Sequence, residues 1–168
     1  PHVAGDLVNI GAMAQEGGHH AQAEALFRQA LDIYRAWYGT NHYETASALT
    51  MVGRELVQEG KLADGAALLR ESLAIRERIY GPNHPSVAST LNELGLLAQN
   101  EGRLEEAESC FRRMIAIYRA AYDDRHYLIG LAYANLGSAF LAGKEYPRAE
   151  SAFREALRRY AETLPADH

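Results

Sequence analysis

The chain has 168 residues, 48% of them apolar, and a formal charge of −5 with no block of either sign; this fits a folded domain or a short solenoid and excludes a disordered chain. The acidic balance argues against nucleic acid and anionic membrane as partners, since both call for a basic face. A single cysteine, Cys110, excludes an internal disulfide and points to a reducing, cytoplasmic setting, and no run of 18 apolar residues is present to span a bilayer.

No signal-peptide pattern opens the chain, and Pro1 in place of Met is read as the start of a segment of a longer or processed protein. Internal periodicity then organises everything else. His42, His84, His126 and His168 are spaced by 42 residues, as are Gly11, Gly53, Gly95 and Gly137. Tyr38, Tyr80 and Tyr122 follow the same step, with Leu164 in the fourth place. Four units, 1–42, 43–84, 85–126 and 127–168, use every residue and are expected to form one domain over 1–168.

Each unit predicts two helices. In the first they cover 2–16 and 20–38, joined by a turn at Gly17-Gly18 in which His19 and His20 are expected to be exposed. Trp37, with Tyr34 and Tyr38, is expected to pack in the core between repeats. The second unit predicts helices over 44–58 and 62–80. It ends in Gly81-Pro82-Asn83-His84-Pro85, a C-cap glycine and two prolines that stop one helix and start the next. In the third, helices are predicted over 86–100 and 104–122. Pro85 opens the first, where its missing N–H costs nothing, and Ala88, Leu91, Leu94, Gly95 and Ala98 share one face. Leu104, Ala107, Phe111, Ile115 and Tyr118 form the inner side of the second. The fourth unit predicts 128–142 and 146–163. One hairpin cannot cover its own apolar stripe, so neighbours must stack.

These residues resemble the tetratricopeptide repeat, whose pattern runs W-x2-L-G-x2-Y, then A-x3-F, then P. The fourth unit reads Tyr133-x2-Leu136-Gly137-x2-Phe140 and Ala149-x3-Phe153; the third has Leu91, Leu94, Gly95, Ala98, Ala107 and Phe111 in those places. The first reads Leu7, Ile10, Gly11, Ala14, Ala23 and Phe27; the second departs most, with Gly65 and Leu69 in its second half. Arg35, Glu77, Arg119 and Ala161 replace the closing proline, so the second helix can run on. The 42-residue period and the string Gly81-Pro82-Asn83-His84-Pro85-Ser86-Val87-Ala88 resemble the kinesin light chain class of these repeats. The resemblance implies an all-α, right-handed solenoid of four helical hairpins that binds protein or peptide in a concave groove lined by the first helix of each hairpin. It further implies the interaction or regulatory arm of a larger protein.

Carried over by register, the groove positions are Thr50, Arg54 and Gln58 in the second repeat, Asn92, Leu96, Gln99 and Asn100 in the third, and Ser138 in the fourth. Amides suit the donors and acceptors of a peptide backbone, and Arg54 suits a carboxylate. Around Ser138 the row is apolar (Leu131, Ala134, Leu141, Ala142), which is read as an end covered by a further hairpin or a partner, in preference to a pocket for an apolar anchor side chain. A self-association module acting through apolar repeat ends is the alternative function. No catalytic residue, metal or cofactor is expected. The histidine series is too widely spaced for one zinc site, given that packed helices lie ~8–10 Å apart, and is read instead as capping the following helix. Cys110 is expected to be half-buried or core-facing. Glu108 is expected to pair with Arg112 at i,i+4, and the Arg112-Arg113 and Arg158-Arg159 doublets are expected to form salt-bridged surface.

Overall fold

The computed structural model describes residues 2–122, 124 and 126–163; Leu164 and His168, the last members of two repeat series, lie outside them. Eight helices follow in order: α1 (His2–Glu16), α2 (His20–Tyr38), α3 (Tyr43–Gln58), α4 (Leu62–Tyr80), α5 (Pro85–Asn100), α6 (Leu104–Ala121), α7 (Tyr127–Ala142) and α8 (Tyr146–Thr163). Among the described residues there is no strand. Every helix expected from the sequence is present, its ends within one residue of the expected ones.

The repeated histidines explain the helix starts. Nδ1 of His42 accepts the Glu44 N–H at 3.3 Å, Nδ1 of His84 accepts that of Ser86 at 3.1 Å, and Nδ1 of His126 accepts that of Leu128 at 3.2 Å. Each side chain thus satisfies one of the N–H groups a helix start leaves without a partner, as an N-cap serine would. Because histidine is the cap, α3, α5 and α7 begin one residue earlier than expected, and Pro85 falls in the first turn of α5.

The turn inside each hairpin is also repeated. In α3–α4 the Lys61 N–H reaches the Leu56 carbonyl at 2.8 Å and the Gly60 N–H reaches Val57 at 3.0 Å, the paired bonds of a Schellman stop. The same pairs recur at Gly18-His19, Gly102-Arg103 and Lys144-Glu145. The first residue of each pair has positive φ, 74° at Gly18, 79° at Gly60 and 74° at Gly102; in the last hairpin Lys144 adopts 60° without a glycine's freedom.

The hairpins group into two compact units, Pro1–Pro82 and Asn83–His168. In the first, α1 packs on α2, α2 on α3 and α3 on α4, around Phe27, Leu31, Leu49, Val52 and Leu56. In the second, α5 packs on α6, α6 on α7 and α7 on α8, burying Leu97, Phe111, Met114, Ile117 and Ile129. Burying each such side chain stabilises by roughly 1.5–3 kcal/mol.

Within a hairpin the helices cross at the repeated glycine. A Cβ on Gly11 would meet the Phe27 ring at 2.5 Å, one on Gly95 the Phe111 ring at 2.6 Å, and one on Gly137 the Phe153 ring at 2.9 Å. The second hairpin differs: a Cβ on Gly65 would stand 2.7 Å from the Gly53 carbonyl oxygen. Lacking the phenylalanine, it brings backbone against backbone, which explains why Gly65 and Leu69 break the repeat pattern there.

Between hairpins of one unit the chain turns through a run of rings. Tyr34, Tyr38, His42 and Tyr43 follow one another with centroids 6.1, 4.1 and 4.5 Å apart. Tyr118, Tyr122, His126 and Tyr127 do the same at 6.0, 4.1 and 4.8 Å. Burial, with Tyr122 and Tyr127 nearby, pushes the Tyr118 phenol up to about 12. Trp37 does not join this packing. It is exposed at the C-terminal end of α2, as is Tyr38, contrary to the core position expected for both.

Candidate peptide-binding surface

The predicted surface residues lie on α3, α5 and α7, the first helices of their hairpins, and none is fully buried. In the first unit Arg54 and Gln58 are exposed. Thr50 is half-buried and engaged in packing. Its hydroxyl reaches the Ala46 carbonyl at 3.1 Å and lies 2.8 Å from Ser72 Oγ, which itself donates to Ala46 at 2.7 Å. These bonds tie α3 to α4 and satisfy a serine that is wholly buried.

In the second unit Asn92, Leu96, Gln99 and Asn100 stand on successive turns of α5, with Leu96 and Asn100 exposed. Asn92 Oδ1 accepts from Asn135 Nδ2 on α7 at 2.7 Å, so two first helices share an amide pair. Asn135 was not legible from register, because it stands 43 residues after Asn92 and outside the 42-residue column. Gln99 Oε1 is buried with no hydrogen-bond partner among the described residues. Ser138 is half-buried on α7, next to exposed Leu141 and Ala142.

Two features depart from the expectation that charged and titratable groups are plain surface. His20 is not simply exposed: its Nδ1 lies 2.8 Å from Oε2 of Glu55, which is fully buried on α3. Met13, Leu97 and Ala139 hold the matching place in the other repeats, so the acid itself was the sequence signal, a polar residue in an apolar column. Arg159 is buried, not surface, bonded to Glu155 Oε1 at 2.8 Å and to the Asp124 carbonyl at 2.5 Å. Arg112 does pair with Glu108, at 2.8 Å, and Cys110 is half-buried.

A cleft of about 530 Å³ opens in the second unit beside Arg112, Tyr133, Leu136, Phe140, Arg148 and Ala152. Arg148 lies 3.9 Å from the centre of the Phe140 ring, a cation–π contact. Burial pushes the Glu108 carboxyl up, but hydrogen bonds and charge from Arg112 and Arg148 outweigh it and hold it below the usual carboxylate range. Ala152, which lines the cleft, stands at the repeat position that Leu68 holds in the first unit. Among the described residues no group of three or more histidine, cysteine or acidic side chains could hold a metal ion.

Two family models, both described as tetratricopeptide repeat, match the chain, one over residues 6–64 and 86–162 and the other over 45–86. No curated protein sequence matches it. BtubC (BKLC) from P. vanneervenii superposes with a TM-score of 0.86 at 21% identity, covering 94% of this chain and 63% of its own. A kinesin light chain candidate from Podosopora anserina with nearly identical TPR-like repeats gives 0.82 at 20% identity, covering 97% of this chain and 77% of its own. A second crystal structure under that description gives 0.84 at 19%, covering 100% and 80%. The chain spans less than two thirds of BtubC, and at these identities the likeness is one of fold. The eight helices, the 42-residue period and family models covering most of the sequence lead to one assignment: the chain, whose fold is shared by kinesin-light-chain-like repeat proteins, belongs to the tetratricopeptide repeat family.

Proposed function

We propose that this chain binds polypeptide segments through the exposed faces of its first helices, α5 and α7 in the second unit and α3 in the first, as the interaction or regulatory arm of a longer cytoplasmic protein. Tetratricopeptide repeats are in general non-enzymatic protein-interaction scaffolds, and the finer reading rests on the amides of the second unit. The observation that carries it is the Asn92–Asn135 pair, flanked by Gln99, whose carbonyl oxygen has no partner among the described residues. An asparagine that has used one acceptor on its neighbour keeps further donor and acceptor capacity for a peptide backbone, and Leu96 offers an apolar contact one turn on. Arg54 and Gln58 on α3 supply a cation and an amide in the first unit.

The test is a displayed library of random peptides panned on the parent chain and on Asn92→Ala and Arg54→Ala variants. Peptides selected on the parent should bind Asn92→Ala roughly tenfold more weakly, about 1.4 kcal/mol. Undiminished binding by both variants, with helicity intact by circular dichroism, overturns the surface assignment.

A further inference from the structure

Charge in the second unit is sorted by helix. The second helices of its hairpins carry six charged residues on α6 and seven on α8, whereas α5 carries Glu93 alone and α7 none. In the first unit α3 carries Glu44, Arg54 and Glu55, so the fold itself does not require this sorting. The face where α5 meets α7 is therefore made of amides, hydroxyls and aliphatic groups, with one carboxylate. That carboxylate orders the amides. Asn92 Nδ2 donates to Glu93 Oε1 at 3.4 Å, and Asn135 Nδ2 donates to Asn92 Oδ1 at 2.7 Å. A carboxylate only accepts, so Asn92 turns its NH2 to Glu93 and its carbonyl to Asn135. Each amide has a second N–H and further acceptor capacity beyond this chain of bonds. Such a pair matches a peptide group, which donates and accepts without charge.

We propose that the segment taken by the second unit is uncharged: an extended stretch held through its backbone by Asn92 and Asn135, with an aliphatic side chain on Leu96, which is 37% exposed. The proposal rests on the peptide-binding reading above and names the partner chemistry of that same surface. Asn92 and Asn135 stand between neighbouring hairpins, not at an end of the array. An acidic side chain laid here would give up water with no cation opposite it, and would approach Glu93. A lysine or arginine would meet one carboxylate, whose Oε1 already serves Asn92. A neutral segment gives up no charge hydration. In the first unit the exposed Arg54 suits an acid instead.

The test sorts displayed random peptides, panned on the parent chain, by the variant that loses them. Arg54→Ala separates those held by the first unit. Those lost on Asn92→Ala should need no aspartate, glutamate, lysine or arginine for binding, as read by replacing each peptide position with alanine. Raising salt from about 0.05 to about 0.5 M should change their affinity less than about twofold. Leu96→Lys alters an exposed residue and should keep the parent's circular dichroism. It should weaken these peptides about tenfold and, panned in its own right, select acidic ones. Asn100→Lys repeats this arm one turn on should Leu96→Lys fail to fold. Asn92-dependent peptides that need a charged residue overturn the proposal and leave the peptide-binding surface standing. If Asn92→Ala weakens no selected peptide, that surface falls and the proposal falls with it.

Discussion

In α3 and α4 two glycines bring backbone against backbone, Gly53 facing Gly65, whereas in α5 and α6 the same crossing is filled by the Phe111 ring lying on Gly95. The positions of the buried polar residues change with it, although the second unit also buries Thr90 and Arg159. The first unit buries Thr45, Glu55 and Ser72, and these depend on specific partners: the Gly39 carbonyl for Thr45, His20 for Glu55 and the Ala46 carbonyl for Ser72. The second unit fills the matching places with Val87, Leu97 and Met114, or with Ile129, Ala139 and Ala156, all buried. One repeat architecture thus accepts two solutions. An aromatic spacer tolerates an apolar interior, while close backbones leave no room for a ring and coincide with small hydroxyl side chains at the contact.

Removing the spacer should be the most damaging way to break this contrast. Phe111→Ala leaves a cavity under Gly95 and should cost about 3–5 kcal/mol, read as a fall in the urea midpoint of the chain; Leu69→Ala, with a smaller side chain to lose, should cost less. Gly65→Ala comes next. Alanine stands at this place in the other three hairpins, as Ala23, Ala107 and Ala149, yet here its methyl would meet the Gly53 oxygen and Val57 Cγ2, both at 2.7 Å. A loss of about 1–3 kcal/mol from overpacking is expected; if thermal unfolding shows no loss, the backbone contact is not what sets this hairpin apart. The smallest effect sharpens the comparison from the turns. Lys144→Gly gives the last hairpin the residue of Gly60 and should relieve part of the ~1–2 kcal/mol cost of left-handed backbone, raising the melting temperature by a few degrees.

Much of the fold was legible because its punctuation repeats. The histidine caps and the glycine stops recur along the 42-residue units, so helix ends could be placed within one residue. What could not be read were bonds between hairpins or across a crossing. Thr50 to Ser72, His20 to Glu55 and Asn92 to Asn135 join residues whose meeting depends on how two helices rotate about each other, which no spacing rule encodes. Of the candidate surface, the positions on α3, α5 and α7 followed from register, but their engagement did not. Thr50 looked like a solvent-facing hydroxyl and proved to be a tie to α4. Glu55 was visible as a misfit and is the one case where closer attention to a column would have anticipated a buried partner.

The ring runs at the turns have a consequence for how this chain can be edited. Tyr34, Tyr38, His42 and Tyr43 recur 84 residues later as Tyr118, Tyr122, His126 and Tyr127, whereas the intervening turn carries Arg76, Tyr80, His84 and Pro85. Excising residues 43–126 would join His42 to Tyr127 and restore the full aromatic sequence at the splice. Excising 43–84 alone would put Pro85 where the last ring belongs. Shortening or lengthening the array therefore preserves its turns when hairpins are removed or added as that pair, and alters one when a single hairpin is.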